Sequence, residues 1–90
     1  MKTVWKYDIL QKDVFEQEMP KGAQFLAVQI QYGGPCMWVL VDDQAPLVNR
    51  RFLVKGTGQP FRSDDPWEYL GTFQRNAGAL VFFLFVEEEK

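Results

Sequence analysis

The chain contains no histidine, one cysteine and one serine. Without an imidazole there is no Ser-His-Asp or Cys-His nucleophile, no His-bearing zinc site and no imidazole pH switch. Cys36 stands alone, so an intramolecular disulfide and a four-cysteine metal site are excluded as well. Placed inside a strongly apolar run, it reads as a small buried hydrophobe rather than a reactive thiol. Ser63 lies beside Asp64 in a loop-like stretch, where a serine caps a turn and has nothing to activate its hydroxyl. Long hydrophobic runs are also missing. The longest, residues 79–86, has eight residues against the roughly twenty that a membrane-spanning helix needs. The first residues reach Asp8 before an apolar core of about seven residues can form, so an ordinary signal peptide is not expected. A reducing, cytoplasmic setting without membrane contact fits these absences.

An excess of either charge is lacking too. The net charge is −2, and setting aside residues 87–90 leaves a body with nine acids and nine bases. A balanced body has no global attraction for nucleic acid or an anionic membrane surface. The acidic stretch 87–90 reads as a solubilising tail.

What the chain does have is apolar and aromatic material, at 47% and 16% of its residues, enough to offset chain entropy in one core of this size. Ninety residues hold a single domain, 1–90, and no second core. Alternating β-branched and aromatic residues between Gly, Pro and Asp punctuation predict strands at 3–9, 14–18, 24–32, 36–41, 48–55, 67–74 and 79–87. The second should be an edge strand, ending at Met19-Pro20-Lys21-Gly22. In the third, Leu26, Val28, Ile30 and Tyr32 share a face opposite Gln29 and Gln31. The third and fourth read as a hairpin across Gly33-Gly34-Pro35 at the centre of the sheet, and the last two as a hairpin across Arg75-Asn76-Ala77-Gly78. A helix rivals the strand over 65–70. The expected fold is all-β: a small antiparallel sandwich or partly open barrel of six to seven strands.

Catalytic and metal-binding patterns do not emerge. Gly56-Thr57-Gly58 lacks the Gly-Lys-Ser/Thr ending of a phosphate loop and the third glycine of a dinucleotide fingerprint, and reads as a strand-ending turn. Asp42-Asp43 and Asp64-Asp65 lack the spaced oxygens of a calcium loop. No catalytic residue, metal or cofactor is therefore expected. Arg50, Arg51 and Lys55 form the one local basic cluster, with Arg62, and at longer reach Arg75, as further cations and Trp38, Phe61 and Trp67 as stacking partners. Arginine forks bind phosphates and aromatic faces stack on bases, so the cluster suits a nucleotide or single-stranded nucleic acid; as ordinary solvent-side residues the two arginines would pair with nearby acids. The last strand is apolar on both faces, which requires either an internal position or a partner over Val81, Phe83 and Phe85, such as a second copy in a homodimer.

Trp5-Lys6-Tyr7, Pro20-Lys21-Gly22-Ala23, Pro35-Cys36 with Trp38, Leu40-Val41-Asp42, Ala45-Pro46, Arg51-Phe52, Gly56-Thr57-Gly58 and Tyr69-Leu70-Gly71-Thr72-Phe73-Gln74 form a set that spans nearly the whole chain. It resembles a family of small proteins of unknown function encoded by tailed bacteriophages, prophages and some bacteria. Many of those relatives carry a histidine after the Gly-Thr-Gly turn and another in the last strand, where this chain has Gln59 and Phe83. The resemblance implies a phage or prophage context and an intracellular protein, and it carries over no reaction, cofactor or catalytic residue. The expected role is a non-enzymatic interaction module that binds a host or phage protein in the infected bacterial cell, through a strand edge or an apolar β face. The alternative is a nucleotide or single-strand binder built on the Arg/Lys-aromatic cluster.

Overall fold

A computed structural model describes residues 1–61 and 66–88 of the chain. Arg62, Ser63, Asp64 and Asp65, together with Glu89 and Lys90, lie outside the described residues. Among the described residues seven strands follow one another without a helix: β1 (Lys2–Asp8), β2 (Val14–Pro20), β3 (Gln24–Gln31), β4 (Gly34–Asp42), β5 (Leu47–Gly56), β6 (Trp67–Arg75) and β7 (Leu80–Glu87). Residues 67–70 are strand, so the helical alternative for them falls. Among the described residues no helix is long and apolar enough to cross a membrane.

The strands form two antiparallel sheets, one ordered β1-β4-β3 and the other β2-β5-β7-β6, facing each other as an open sandwich. Period-two alternation directs Met37, Val39 and Val41 of β4 inward, opposite Phe15, Met19, Phe52, Val54, Leu84 and Val86 of the second sheet. Phe52, fully buried, stacks on Phe15 at 5.1 Å and takes the edge of Phe25, from the other sheet, at 5.9 Å. The strand expected to be apolar on both faces, β7, is internal in its sheet, and so is β4. Pairing on both edges leaves their outward residues Trp38, Leu40, Phe83 and Phe85 half-buried.

Turn chemistry sets the hairpins. Tyr32 and Gly33 take φ of 50° and 79° and alone connect β3 to β4, the doubly left-handed turn whose twist matches paired strands. The β3–β4 connection is therefore shorter than the Gly33-Gly34-Pro35 loop, and Gly34 and Pro35 already belong to β4. Only β4 of this hairpin is central; β3 is an edge. The face assigned to β3 also breaks. Its register with β4 shifts between Phe25 and Ala27, so Leu26 bulges out and is half exposed, Phe25 and Val28 reach the core, and Tyr32 leaves the strand for the turn.

A second bulge in β6, between Tyr69 and Gly71, lies opposite the first. The edges of β3 and β6 meet there without a hydrogen-bonded ladder, so the sheets close on this flank by packing and no barrel forms. A Cβ added to Gly71 would stand 2.7 Å from Val28 Cγ2, closer than side chains tolerate. Gly71→Ala should therefore destabilise the fold by about 1–3 kcal/mol, the usual cost of overpacking. Combined with Val28→Gly, which removes the Val28 Cβ at 2.8 Å as well as the methyl at 2.7 Å, the substitution at Gly71 should cost much less. Urea unfolding of the two single variants and the double variant measures that coupling.

Candidate functional site

Arg50 and Arg51 are neighbours on β5, and a strand sends neighbours to opposite faces. Arg50 points into the sandwich and is 6% exposed. One of its terminal nitrogens donates to the Glu87 carbonyl oxygen at 3.3 Å, and its guanidinium lies 5.5 Å from the centre of the Phe25 ring. Arg50 thus ties β5 to the end of β7 and to the opposite sheet. It also borders an open recess of about 500 Å³ shared with Glu68 and Glu88, which sets the cation among carboxylates.

Arg51 points outward. Its guanidinium pairs with the Glu87 carboxylate and stands 5.5 Å from the Trp67 ring. Lys55, four residues further along the strand, has the same orientation, and with Arg51 it flanks a cleft of about 360 Å³ lined by Val14, Leu53, Pro60, Phe61 and Trp67. The side wall comes from the chain after β5, which folds back so that Phe61 packs on Phe85 of β7 at 5.0 Å. Tyr69 meets the same ring at 5.8 Å. Phe85, expected at an interface, is thus partly covered by its own chain, while Phe83 stands beside Lys55 and Val81 nearer the β6–β7 turn.

The cluster read from the sequence is therefore divided. Arg51, Lys55 and Trp67 converge; Arg50 occupies the opposite face, and Trp38 lies on β4 of the other sheet, between Lys6 and Ala27. Arg75 sits at the far end of β6, next to the turn to β7. Arg62 lies outside the described residues. Val14, Leu53 and Pro60 escaped notice, because the pairing of Val14 with Leu53 depends on a strand register that the sequence does not display. Glu87 needs correcting too: it closes β7 as a largely buried partner of Arg51, so the acidic tail begins after it. The Arg51 guanidinium draws the carboxylate in.

The other candidate motifs are structural. The Gly56 amide donates to the Gln59 side-chain oxygen at 2.7 Å, Gln59 N–H returns to the Gly56 carbonyl at 3.1 Å, and Thr57 N–H bonds to Val81. Amides so engaged do not form a phosphate cradle. Asp42 accepts the Gln44 N–H at 3.0 Å, which holds its carboxyl below the usual carboxylate range and caps the β4–β5 turn. Burial pushes the Tyr7 phenol up. Cys36 is buried, as its apolar strand implied. Among the described residues no three of His, Cys, Asp and Glu gather as metal ligands.

The DUF7352 family, a domain of unknown function, matches residues 1–90. The chain belongs to the DUF7352 family. No curated protein and no solved structure matches it. The DUF7352 assignment carries no activity, so chemistry at this cleft rests on its own side chains.

The two arginines of this DUF7352 domain should respond differently to truncation. Arg50→Ala removes a buried charge-assisted hydrogen bond and a ring contact, and should lower stability by about 1–3 kcal/mol. Arg51→Ala removes an outward-facing ion pair and should cost less than about 1 kcal/mol. Chemical denaturation of both variants gives the comparison.

Proposed function

We propose that this domain is a non-enzymatic protein-interaction module whose cleft on the four-stranded sheet receives an extended segment of a partner protein. The observation that carries the reading is the cleft's composition. Val14, Leu53, Pro60, Phe61 and Trp67 offer apolar contact, and Arg51 and Lys55 stand at its margin as cations. Such a site suits an apolar side chain flanked by a single carboxylate, which Lys55 can receive while Glu87 occupies Arg51. The resemblance to proteins of tailed phages and prophages supports a host or phage protein as the partner, in the cytoplasm of an infected bacterial cell.

A nucleotide or single-strand role draws less support from the geometry. It needs several arginine forks on one surface, and here one faces inward, one is engaged by Glu87, and Trp38 is on the other sheet. The absence of histidine from the sequence and the turn-capping duties of Asp42 favour binding over catalysis.

Selection from a displayed random-peptide library, followed by calorimetry on the winners, tests the proposal. The expected ligands place an aromatic or aliphatic residue beside Asp or Glu. Phe61→Ala and Lys55→Glu should each weaken them by about tenfold or more, as loss of an anchor does. Failure to enrich any peptide, or peptides indifferent to both substitutions, would remove the cleft from consideration. Binding of ATP or oligo-dT at low salt that Lys55→Glu abolishes would move the site to the nucleotide reading.

A further inference from the structure

The four sheet edges of this sandwich are not alike. Those of β3 and β6 are bulged and face each other across the Gly71–Val28 contact. The β2 edge carries Glu16 and Glu18 and ends in Pro20, devices that discourage strand addition. The β1 edge also carries charge, on Lys2, Lys6 and Asp8, but of both signs, and it has neither proline nor bulge. Its seven residues run in unbroken register with β4, and among the described residues β1 pairs with no other strand. Val4 is 49% exposed and Trp5 37%.

The phase of the ladder shows what that edge presents. Ile9 N–H bonds to Pro35 on one side of the pairing, and Asp43 N–H to Met1 on the other. Odd-numbered residues of β1 therefore turn their main-chain groups toward β4, and Lys2, Val4, Lys6 and Asp8 turn theirs outward. For two copies to pair antiparallel by these edges about a two-fold axis, the outward residues must face one another. Centring the axis on Trp5 sets Lys2 opposite Asp8 of the other copy at both ends, Val4 opposite Lys6, Thr3 opposite Tyr7, and the two Trp5 side chains together on the inner face. Moving the pairing one step in either direction keeps the main-chain phase but sets lysine against lysine: Lys2 against Lys6 in one case, Lys6 against its own copy in the other. Like charges directly opposite destabilise a ladder and opposite charges support it. One register is thus favoured by charge at both Lys2–Asp8 pairs, while Val4 faces the stem of Lys6, whose amine donates to the Gln31 side-chain oxygen at 3.0 Å.

The geometry points to a homodimer formed by β1 against β1, joining the two three-stranded sheets into one continuous sheet through a self-complementary edge. The cleft of the four-stranded sheet lies on the other layer and stays open in this assembly. Light-scattering chromatography of the whole chain over a dilution series should give a mass twice the 10.5 kDa of the protomer. Val4→Pro removes an outward N–H that the β4 pairing does not use, and should yield a folded monomer. Lys2→Asp and Asp8→Lys each place like charges across the axis, so each alone should be monomeric, whereas an equimolar mixture of the two should form a mixed dimer. A wild type that stays monomeric throughout overturns the proposal, even if it captures some other strand at this edge. So does a dimer that survives Val4→Pro and both charge variants, which would transfer the contact to Val81, Phe83 and Phe85. A wild-type dimer whose charge variants fail to recombine refutes the register on which the inference rests.

Discussion

The approach of Gly71 to Val28 constrains the sandwich as a whole. Where β6 passes β3 there is no room for a side chain, and each strand reaches the contact through a bulge that bends it toward the other. The bulges spoil the ladder that would otherwise zip the two edges into a barrel, so this flank is sealed by packing alone. With seven strands divided three and four, sealing one flank leaves β1 and β2 at the opposite side of the molecule. The openness of the β1 edge follows from the closure of the other.

The sandwich is also thin, 40 × 34 × 16 Å across its Cα atoms, so one layer of inward side chains makes the core. Phe52 fills the middle of that layer by touching Phe15 in its own sheet and Phe25 across the gap. Arg50 takes the neighbouring inward position on β5. A guanidinium is tolerable there because Phe25 provides a π-face and the end of β7 a carbonyl acceptor. Glu87 consequently serves both arginines, its carbonyl on the inner face and its carboxylate on the outer one. Through it the last residue of β7 is fastened from two sides.

Strand positions were legible because Pro20, Gly22, Gly33, Gly56 and Gly78 interrupt alternating runs, and turn chemistry is local. Both-face hydrophobicity required β7 to be internal or covered by a partner, and the topology places it inside its sheet. The bulges were hidden: Leu26 looks inward-facing under strict alternation, and the register shift that turns it outward is visible only in the pairing of β3 with β4. The partition into two sheets was hidden too, which is why Trp38 and Trp67 looked available to one site although they lie on different layers. Arg50 and Arg51 form a cluster in sequence that strand geometry must divide. That division could have been deduced beforehand from period two alone, whereas the arrival of Phe61 on Phe85 could not, since it depends on how the chain turns after β5.

The position of Phe61 bears on how an outer apolar face is managed in so small a domain. Leu53 is buried although it points away from the core, and Phe85 beside it is shielded by Phe61 and Tyr69. The chain thus spends a loop on covering the outside of its own sheet, and the cover is incomplete, since Phe61 is itself 44% exposed and Val14 41%. Exposed apolar surface of that kind is ordinary when scattered, but here it lines one concave site with two cations at its margin. Desolvating such a cleft favours a ligand that is apolar in its middle and acidic at its flank. A phosphate-rich ligand would have to displace Glu87 from Arg51 before gaining that fork, and would leave the carboxylate without its cation.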